Sequence, residues 1–205
     1  MNCKTAVILA AGAGTRMKSE LPKVLHEVCG RPMVSHVISQ AKKAGAETII
    51  AVIGHGAEQV KEGLKEEEIL FALQEKQLGT GHAVMQAADR IPDEGDVFVL
   101  CGDTPLITSE TLAEFAAYHS GSNNAVTVLT AIFDNPFGYG RIIRGEDGNL
   151  QKIVEQKDAD ETEKAVKEVN AGMYCFNGAF LRENLPKLSN QNAQNEYYIT
   201  DLIGM

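Results

Sequence analysis

Long apolar runs are missing from these 205 residues. No stretch approaches the roughly 18 to 20 apolar residues that span a bilayer. The N-terminus, MNCKTAVILAAGAG, lacks the basic region and uninterrupted apolar stretch of a secretory leader. A soluble cytosolic protein with no membrane partner is expected. Cysteine is scarce, and Cys3, Cys29, Cys101 and Cys175 form no CxxC pair. That excludes a zinc knuckle or a disulfide framework and leaves buried, reduced thiols. Positive charge is short as well. Lys plus Arg number 19 against 28 Asp plus Glu, a net charge of −9. A nucleic-acid partner is excluded, because a phosphate backbone needs a broad basic face. The five histidines, His26, His36, His55, His82 and His119, show neither HxxxH spacing nor a paired nucleophile and read as structural or surface groups.

No internal repeat or low-complexity linker divides the chain, and its length suits one full-sized domain. Apolar runs bounded by turn residues predict strands at Thr5–Leu9, Thr48–Ile53, Ile69–Leu73, Val97–Cys101 and Ala125–Ile132. Between them, helical patterns occupy Met33–Ala44, Ala57–Leu64, Gly81–Arg90 and Thr108–His119. This alternation implies parallel strands joined by crossover helices, and the unbroken Val/Ile/Leu runs imply helices on both faces. After Ile132, turn clusters flank short strands at Arg141–Arg144 and Leu150–Glu155, which read as a hairpin inserted into the α/β framework. Asp158–Lys167 reads as a surface loop or helix, and Val169–Phe176 as a returning strand. The expected fold is a Rossmann-like three-layer α/β sandwich with a mostly parallel central sheet and an inserted β-hairpin subregion.

LAAGAGTRM, Leu9–Met17, follows the first strand, and its glycines suit a phosphate loop. Counting from Gly12, a P-loop needs its second glycine at position 17, which is Met17. A dinucleotide fingerprint also needs a third glycine there, and no acidic residue ends the second strand to hold a ribose. Both identities fail. What remains is a short turn whose backbone N–H groups converge on an anion, followed by Arg16, Lys18 and Lys23, a local basic cluster in an acidic chain.

The whole stretch LAAGAGTRMKSELPKVLHEVCGRPM, Leu9–Met33, resembles the signature of the sugar-phosphate nucleotidyltransferases, LAAGxGTRMxSxxPKxL followed by GxPM. Further similarities follow in order: Gln74 before Gly79 and Thr80, Gly102 and Asp103 after an apolar strand, and GYGR at Gly138–Arg141. IVE at Ile153–Glu155, NAG at Asn170–Gly172 and NEYY at Asn195–Tyr198 complete the series. Within the family, the similarity is to the members that join UTP to N-acetylglucosamine 1-phosphate, releasing pyrophosphate and UDP-N-acetylglucosamine for cell-wall precursors.

The resemblance implies roles residue by residue. Leu9, Ala10, Ala11, Gly12 and Gly14 line the nucleotide, with Gln74, Gly79 and Thr80 at the base. A carboxamide both donates and accepts, so by rotating Gln74 could serve uracil or cytosine. Arg16 and Lys23 carry the catalysis, Arg16 on the triphosphate and Lys23 on the reacting phosphates, whereas Lys18 has no fixed place. Asp103 holds Mg²⁺, the expected cofactor. Gly140, Glu155 and Asn170 meet the sugar. One nucleotidyltransferase domain over residues 1–205 is implied, with a nucleotide-binding part at 1–132 and a sugar-binding part at 133–205. The relatives carry a second metal ligand, an asparagine, and a β-helical acetyltransferase half past the position of Met205. The chain is therefore expected to be C-terminally truncated, with oligomerisation expected only when that β-helix is present. Transfer to another sugar or alcohol phosphate, and a non-catalytic nucleotide-sugar module, stay open as alternatives.

Overall fold

The protein is described by a computed structural model covering residues 3–14 and 17–205. In chain order it runs β1 (Cys3–Ala10), a two-residue hairpin β2 (Glu27–Val28) and β3 (Arg31–Pro32), then α1 (Met33–Lys43), β4 (Thr48–Ile53) and α2 (Ala57–Gly63). There follow β5 (Leu70–Leu73), α3 (Thr80–Met85), β6 (Asp96–Cys101), α4 (Ser109–Ser122) and β7 (Val126–Ile132). The chain continues with β8 (Arg141–Arg144), β9 (Leu150–Val154), α5 (Glu161–Lys164), β10 (Glu168–Asn177) and α6 (Gly178–Asn184), and ends in a 3-10 turn at Ile199–Gly204.

The Val/Ile/Leu runs form the centre of the sheet, in the order β5-β4-β1-β6, all parallel. Side chains alternate along β1 between two apolar layers. Ala6 and Ile8 face a cluster with Val34, Val37 and Ile38 of α1, Val60 of α2 and Leu112 and Phe115 of α4. Val7 faces the opposite layer, with Ala83 and Val84 of α3, Leu181 of α6, and Ile199 and Leu202. Helices thus cover both faces, as the expected three-layer sandwich requires, and unbroken apolar strands are stable because neither face meets water. Among the described residues no helix is long and apolar enough to cross a membrane.

The chain places β4 and β5 on one side of β1, then crosses back to set β6 on the other. Beyond the carboxyl end of β1 the connections diverge, which opens a crevice where open α/β sheets hold ligands.

Several expectations are refined. β7 is not part of the parallel succession: it pairs antiparallel with β10, Thr127 opposite Cys175, because the long returning strand inserts between β6 and β7. β10 changes neighbours along its length, lying on β6 through Tyr174–Asn177 and meeting β8 at Val169 opposite Arg141. The β8–β9 hairpin is present as expected. The helical pattern over Gly81–Arg90 divides into α3 and a separate 3-10 turn at Ala88–Arg90. The charged Asp158–Lys167 stretch contains α5, held by a capping box between Asp160 and Glu163. All four cysteines are free; Cys3 and Cys175 are buried, Cys101 is half-buried, and Cys29 is exposed, contrary to the expectation of burial. Cys29 and Gly30 both take positive φ in the tight turn between β2 and β3, which keeps the thiol outside the core.

Candidate functional site

A cavity of about 390 Å³ opens at the carboxyl ends of β1 and β6. It is lined by Leu9, Ala10, Ala11, Gly12 and Gly14 of the first loop, by Lys23, by Gln74, Gly79 and Thr80, and by Asp103. Of the fourteen site residues assigned from the sequence, these ten, given nucleotide, catalytic or metal roles, converge here. Arg16 lies outside the described residues.

The strand ends set this up. Gly102 donates its N–H to the Leu9 carbonyl at 2.9 Å, so the loop after β6 is tied to the end of β1 and brings Asp103 beside the glycine turn. Gly14 has a φ of +59°, and a Cβ there would stand 2.6 Å from the Lys23 Cβ. A glycine is therefore required for Lys23 to lie against the loop. Lys23 sits in a 3-10 turn (Lys23–Leu25) whose Val24 and Leu25 are buried, which anchors the ammonium at the cavity mouth. Its Nζ forms an ion pair with an Asp103 carboxylate oxygen, although 80 positions separate the two in sequence.

On the other wall, Gln74 follows β5 and is buried at 3% exposure. Its Nε2 donates to the Gly79 carbonyl at 3.1 Å and lies 3.0 Å from His82 Nδ1. Gly79 turns the chain into α3 with φ +106°. The Thr80 hydroxyl accepts from the Ile199 N–H at 3.1 Å, so this side chain also holds the C-terminal segment in place.

Gln77, Val24, Ala83, Cys101 and Glu196 complete the lining and were not assigned from sequence. Glu196 lies within the NEYY similarity, but only the packed fold brings it here: Tyr197 donates its N–H to the Leu78 carbonyl at 2.8 Å, and the Tyr197 carbonyl accepts from Gly81 at 2.8 Å.

The three sugar-facing candidates form a group of their own. The Asn170 N–H donates to the Gly140 carbonyl at 2.9 Å, and a Cβ on Gly140 would lie 3.3 Å from Glu155 Oε1. None of the three lines the main cavity. Glu155 borders a second cavity of about 320 Å³ with Asp158, Tyr198, Thr200 and Asp201. Burial raises its carboxyl above the usual range, and Asp158, Asp201 and Glu196 push the same way, against a hydrogen bond accepted from the Thr200 hydroxyl. Asn170 uses its amide to brace the irregular part of β10: Nδ2 donates to the Tyr174 hydroxyl at 2.7 Å, and Oδ1 accepts from the Gly172 N–H at 2.9 Å. The two groups meet where the Cys101 thiol donates to the Gly172 carbonyl at 3.2 Å.

For a divalent cation, Asp103 is the oxygen donor that faces the cavity next to the glycine turn. No cluster of three or more His, Cys, Asp or Glu suited to a metal occurs among the described residues. That donor set fits Mg²⁺, which takes one or two carboxylates and completes its shell with water and substrate phosphates.

The sequence profile of the MobA-like NTP transferase domain matches residues 6–166. The Bifunctional protein GlmU of Alkaliphilus oremlandii is 58% identical over 200 residues, 98% of this chain and 44% of that protein. GlmU of Geobacillus thermodenitrificans is 58% identical over 199 residues, 97% of this chain and 43% of that protein. The chain thus spans less than half the length of these curated relatives. In fold it is similar to a UDP-glucose pyrophosphorylase solved with UDP-glucose, at a TM-score of 0.77 and 21% identity over 98% of this chain and 85% of that one. The profile match covers most of the chain, which belongs to the MobA-like NTP transferase domain family.

Proposed function

We propose that the chain transfers a uridylyl group from UTP to N-acetylglucosamine 1-phosphate, giving UDP-N-acetylglucosamine and pyrophosphate. The observation that carries this reading is the meeting of the glycine turn, Lys23, Asp103 and Gln74 around one cavity at the carboxyl ends of β1 and β6. Such a transfer needs little covalent chemistry from the protein: it needs several negative charges gathered and aligned.

The glycine turn receives the triphosphate, with Gly12 and Gly14 leaving room for its oxygens. Gln74 and Gly79 meet the base. A phosphate oxygen of the sugar 1-phosphate attacks the α-phosphorus in line; the new P–O bond forms as the bond to the bridging oxygen of the β-phosphate breaks, and pyrophosphate leaves. Lys23 neutralises charge on the reacting phosphates, released from Asp103 as they arrive. Mg²⁺ held by Asp103 would supply further charge neutralisation to the phosphate oxygens. Residues 133–205 present the sugar side, with Gly140, Glu155 and Asn170 grouped beside Gly172. Glu155 and Asn170 offer acceptors to hydroxyls and an amide to the acetamido group.

The test is pyrophosphate release, measured for four nucleoside triphosphates against several sugar 1-phosphates, with and without Mg²⁺. Release with UTP and N-acetylglucosamine 1-phosphate above every other pair is expected. Equal or greater release with another base or sugar overturns the assignment.

A further inference from the structure

Arg141 is the largest side chain that the fold buries completely, at 1% exposure. Its partners are neutral: Nη1 donates to the Tyr139 carbonyl and Nη2 to Gln156 Oε1 at 2.8 Å, while Nε has no partner. Among the described residues no carboxylate forms an ion pair with it. Burying a guanidinium without a carboxylate is costly, so stability alone would favour an apolar side chain at this position. Both bonds act on one turn. Gln156 Oε1 also accepts from the Gly138 N–H at 2.9 Å, so Gly138 and Tyr139 are tied to the same guanidinium, one through an amide and one directly. The Tyr139 carbonyl and the Gly140 N–H belong to one trans peptide and point in opposite directions. Holding the carbonyl toward Arg141 therefore aims the N–H away from it. Gly140 is buried, its carbonyl accepts from the Asn170 N–H at 2.9 Å, and its own N–H has no acceptor among the described residues. Buried N–H groups left without a partner are rare, and one beside Glu155 in a candidate binding site is placed for a ligand's acceptor.

We propose that Arg141 is a positioning residue: with Gln156 it braces the Gly138–Gly140 turn from beneath, so that the Gly140 N–H stays aimed at an acceptor oxygen of the sugar. The inference rests on the reading of residues 133–205 as the sugar side. Arg141 is enclosed and touches no ligand itself. Its fork matters more than its charge, because two nitrogens on one rigid plane reach two acceptors at a fixed separation, which a lysine ammonium on its flexible stem does not reproduce. Gln156 serves Arg141 and Gly138 with one oxygen, so its loss releases one arm of the fork and the start of the turn together. The similarity over GYGR gives no sign that the arginine folds back under its own turn instead of facing a phosphate.

The experiment is titration calorimetry of UDP-N-acetylglucosamine and of UDP on this chain and on three variants, with thermal melting as a check of folding. Both ligands share the nucleotide part, so the ratio of their affinities reads the sugar contacts alone. Arg141→Lys keeps the charge and loses the fork; it is expected to lower that ratio about 2- to 10-fold, the loss that one misaligned hydrogen bond produces, with the UDP affinity close to the parent's. Gln156→Leu removes the shared acceptor and is expected to lower the ratio to a similar extent. Gln156→Glu keeps an oxygen for both donors and is expected to hold the ratio near the parent value, which a general loss of packing would not do. In amide NMR of the parent, the Gly140 resonance is expected to shift with UDP-N-acetylglucosamine and not with UDP. An unchanged ratio in a folded Arg141→Lys or Gln156→Leu, a Gln156→Glu that behaves as Gln156→Leu does, or a Gly140 resonance that moves equally with both ligands overturns the brace. If Arg141→Lys does not fold, the two Gln156 variants decide the question. The underlying reading fails separately: a parent that binds UDP-N-acetylglucosamine no more tightly than UDP has no sugar side here, and the brace falls with it.

Discussion

Replacing Gly79 by alanine tests whether the cavity's far wall is held as described. Gly79 has φ +106° and ψ 175°, a region essentially reserved for glycine, where another residue costs about 1–3 kcal/mol. The added Cβ would stand 2.6 Å from the Tyr197 carbonyl oxygen and 2.9 Å from the Tyr197 nitrogen, both backbone atoms. The segment must retreat, which weakens the bonds from Tyr197 to Leu78 and from Gly81 to Tyr197. Each such bond is worth about 1 kcal/mol. Together these amount to about 3–5 kcal/mol, and at about 2–4 °C per kcal/mol for a domain of this size the Tm is expected to fall by about 6–20 °C. Glu196 is carried on the same segment, so nucleotide affinity is expected to fall in parallel. Thermal melting by circular dichroism, with UTP titration on the folded variant, reads both effects. A Tm within about 2 °C of the parent refutes the reasoning, because the strain and the backbone contact would then both be absorbed without cost.

Three further outcomes follow from the same geometry. A Cβ on Gly12 meets nothing within 4 Å, so Gly12→Ala is expected to leave the Tm near the parent's while weakening UTP binding in calorimetry; a destabilised variant with intact affinity contradicts the assigned role. Lys23→Met is expected to lower kcat by about 100- to 1000-fold with a small change in KM for UTP, as loss of a transition-state contact does. Since the Lys23 and Asp103 side chains are 31% and 29% exposed, the Tm should barely move; lost affinity with unchanged turnover would count against the assignment. Glu155 has a carboxyl raised mainly by burial, so the folded state binds its proton more tightly than the unfolded chain, and stability is lost as pH rises through that raised value. Glu155→Gln is accordingly expected to raise the Tm at pH 8 and to lose that advantage at pH 4, whereas an equal loss at both pH values would be inconsistent with the burial argument.

Much of the fold could be read locally. The runs TAVIL, TIIAVI and DVFVLC are apolar at every consecutive position or nearly so, and only a strand covered on both faces accommodates that pattern. The Arg141–Arg144 and Leu150–Val154 hairpin declared itself through the turn residues between its strands. Pairing was less legible. Nothing within Val126–Ile132 distinguishes a strand beside β6 from one beside β10, since its partner is chosen by a segment about forty residues later. Residues 178–205 carried no clear period, and their α6 and 3-10 turns are fixed by packing of Leu181, Ile199 and Leu202 under the sheet.

The sequence by itself determined the parallel α/β core, the identity of the glycine loop and the short-range spacing of Gln74 to Gly79, because these depend on neighbouring residues and on backbone preferences. Only the tertiary structure decided that Lys23 pairs with Asp103, that Glu196 reaches the wall of the main cavity and that Glu155 borders a second cavity. It also set the buried Gln74 amide nitrogen against the Gly79 carbonyl and beside the His82 ring. Contacts between residues distant along the chain exist only once the core has packed, and hydrogen-bond direction at a buried amide is set by the atoms that packing brings behind it.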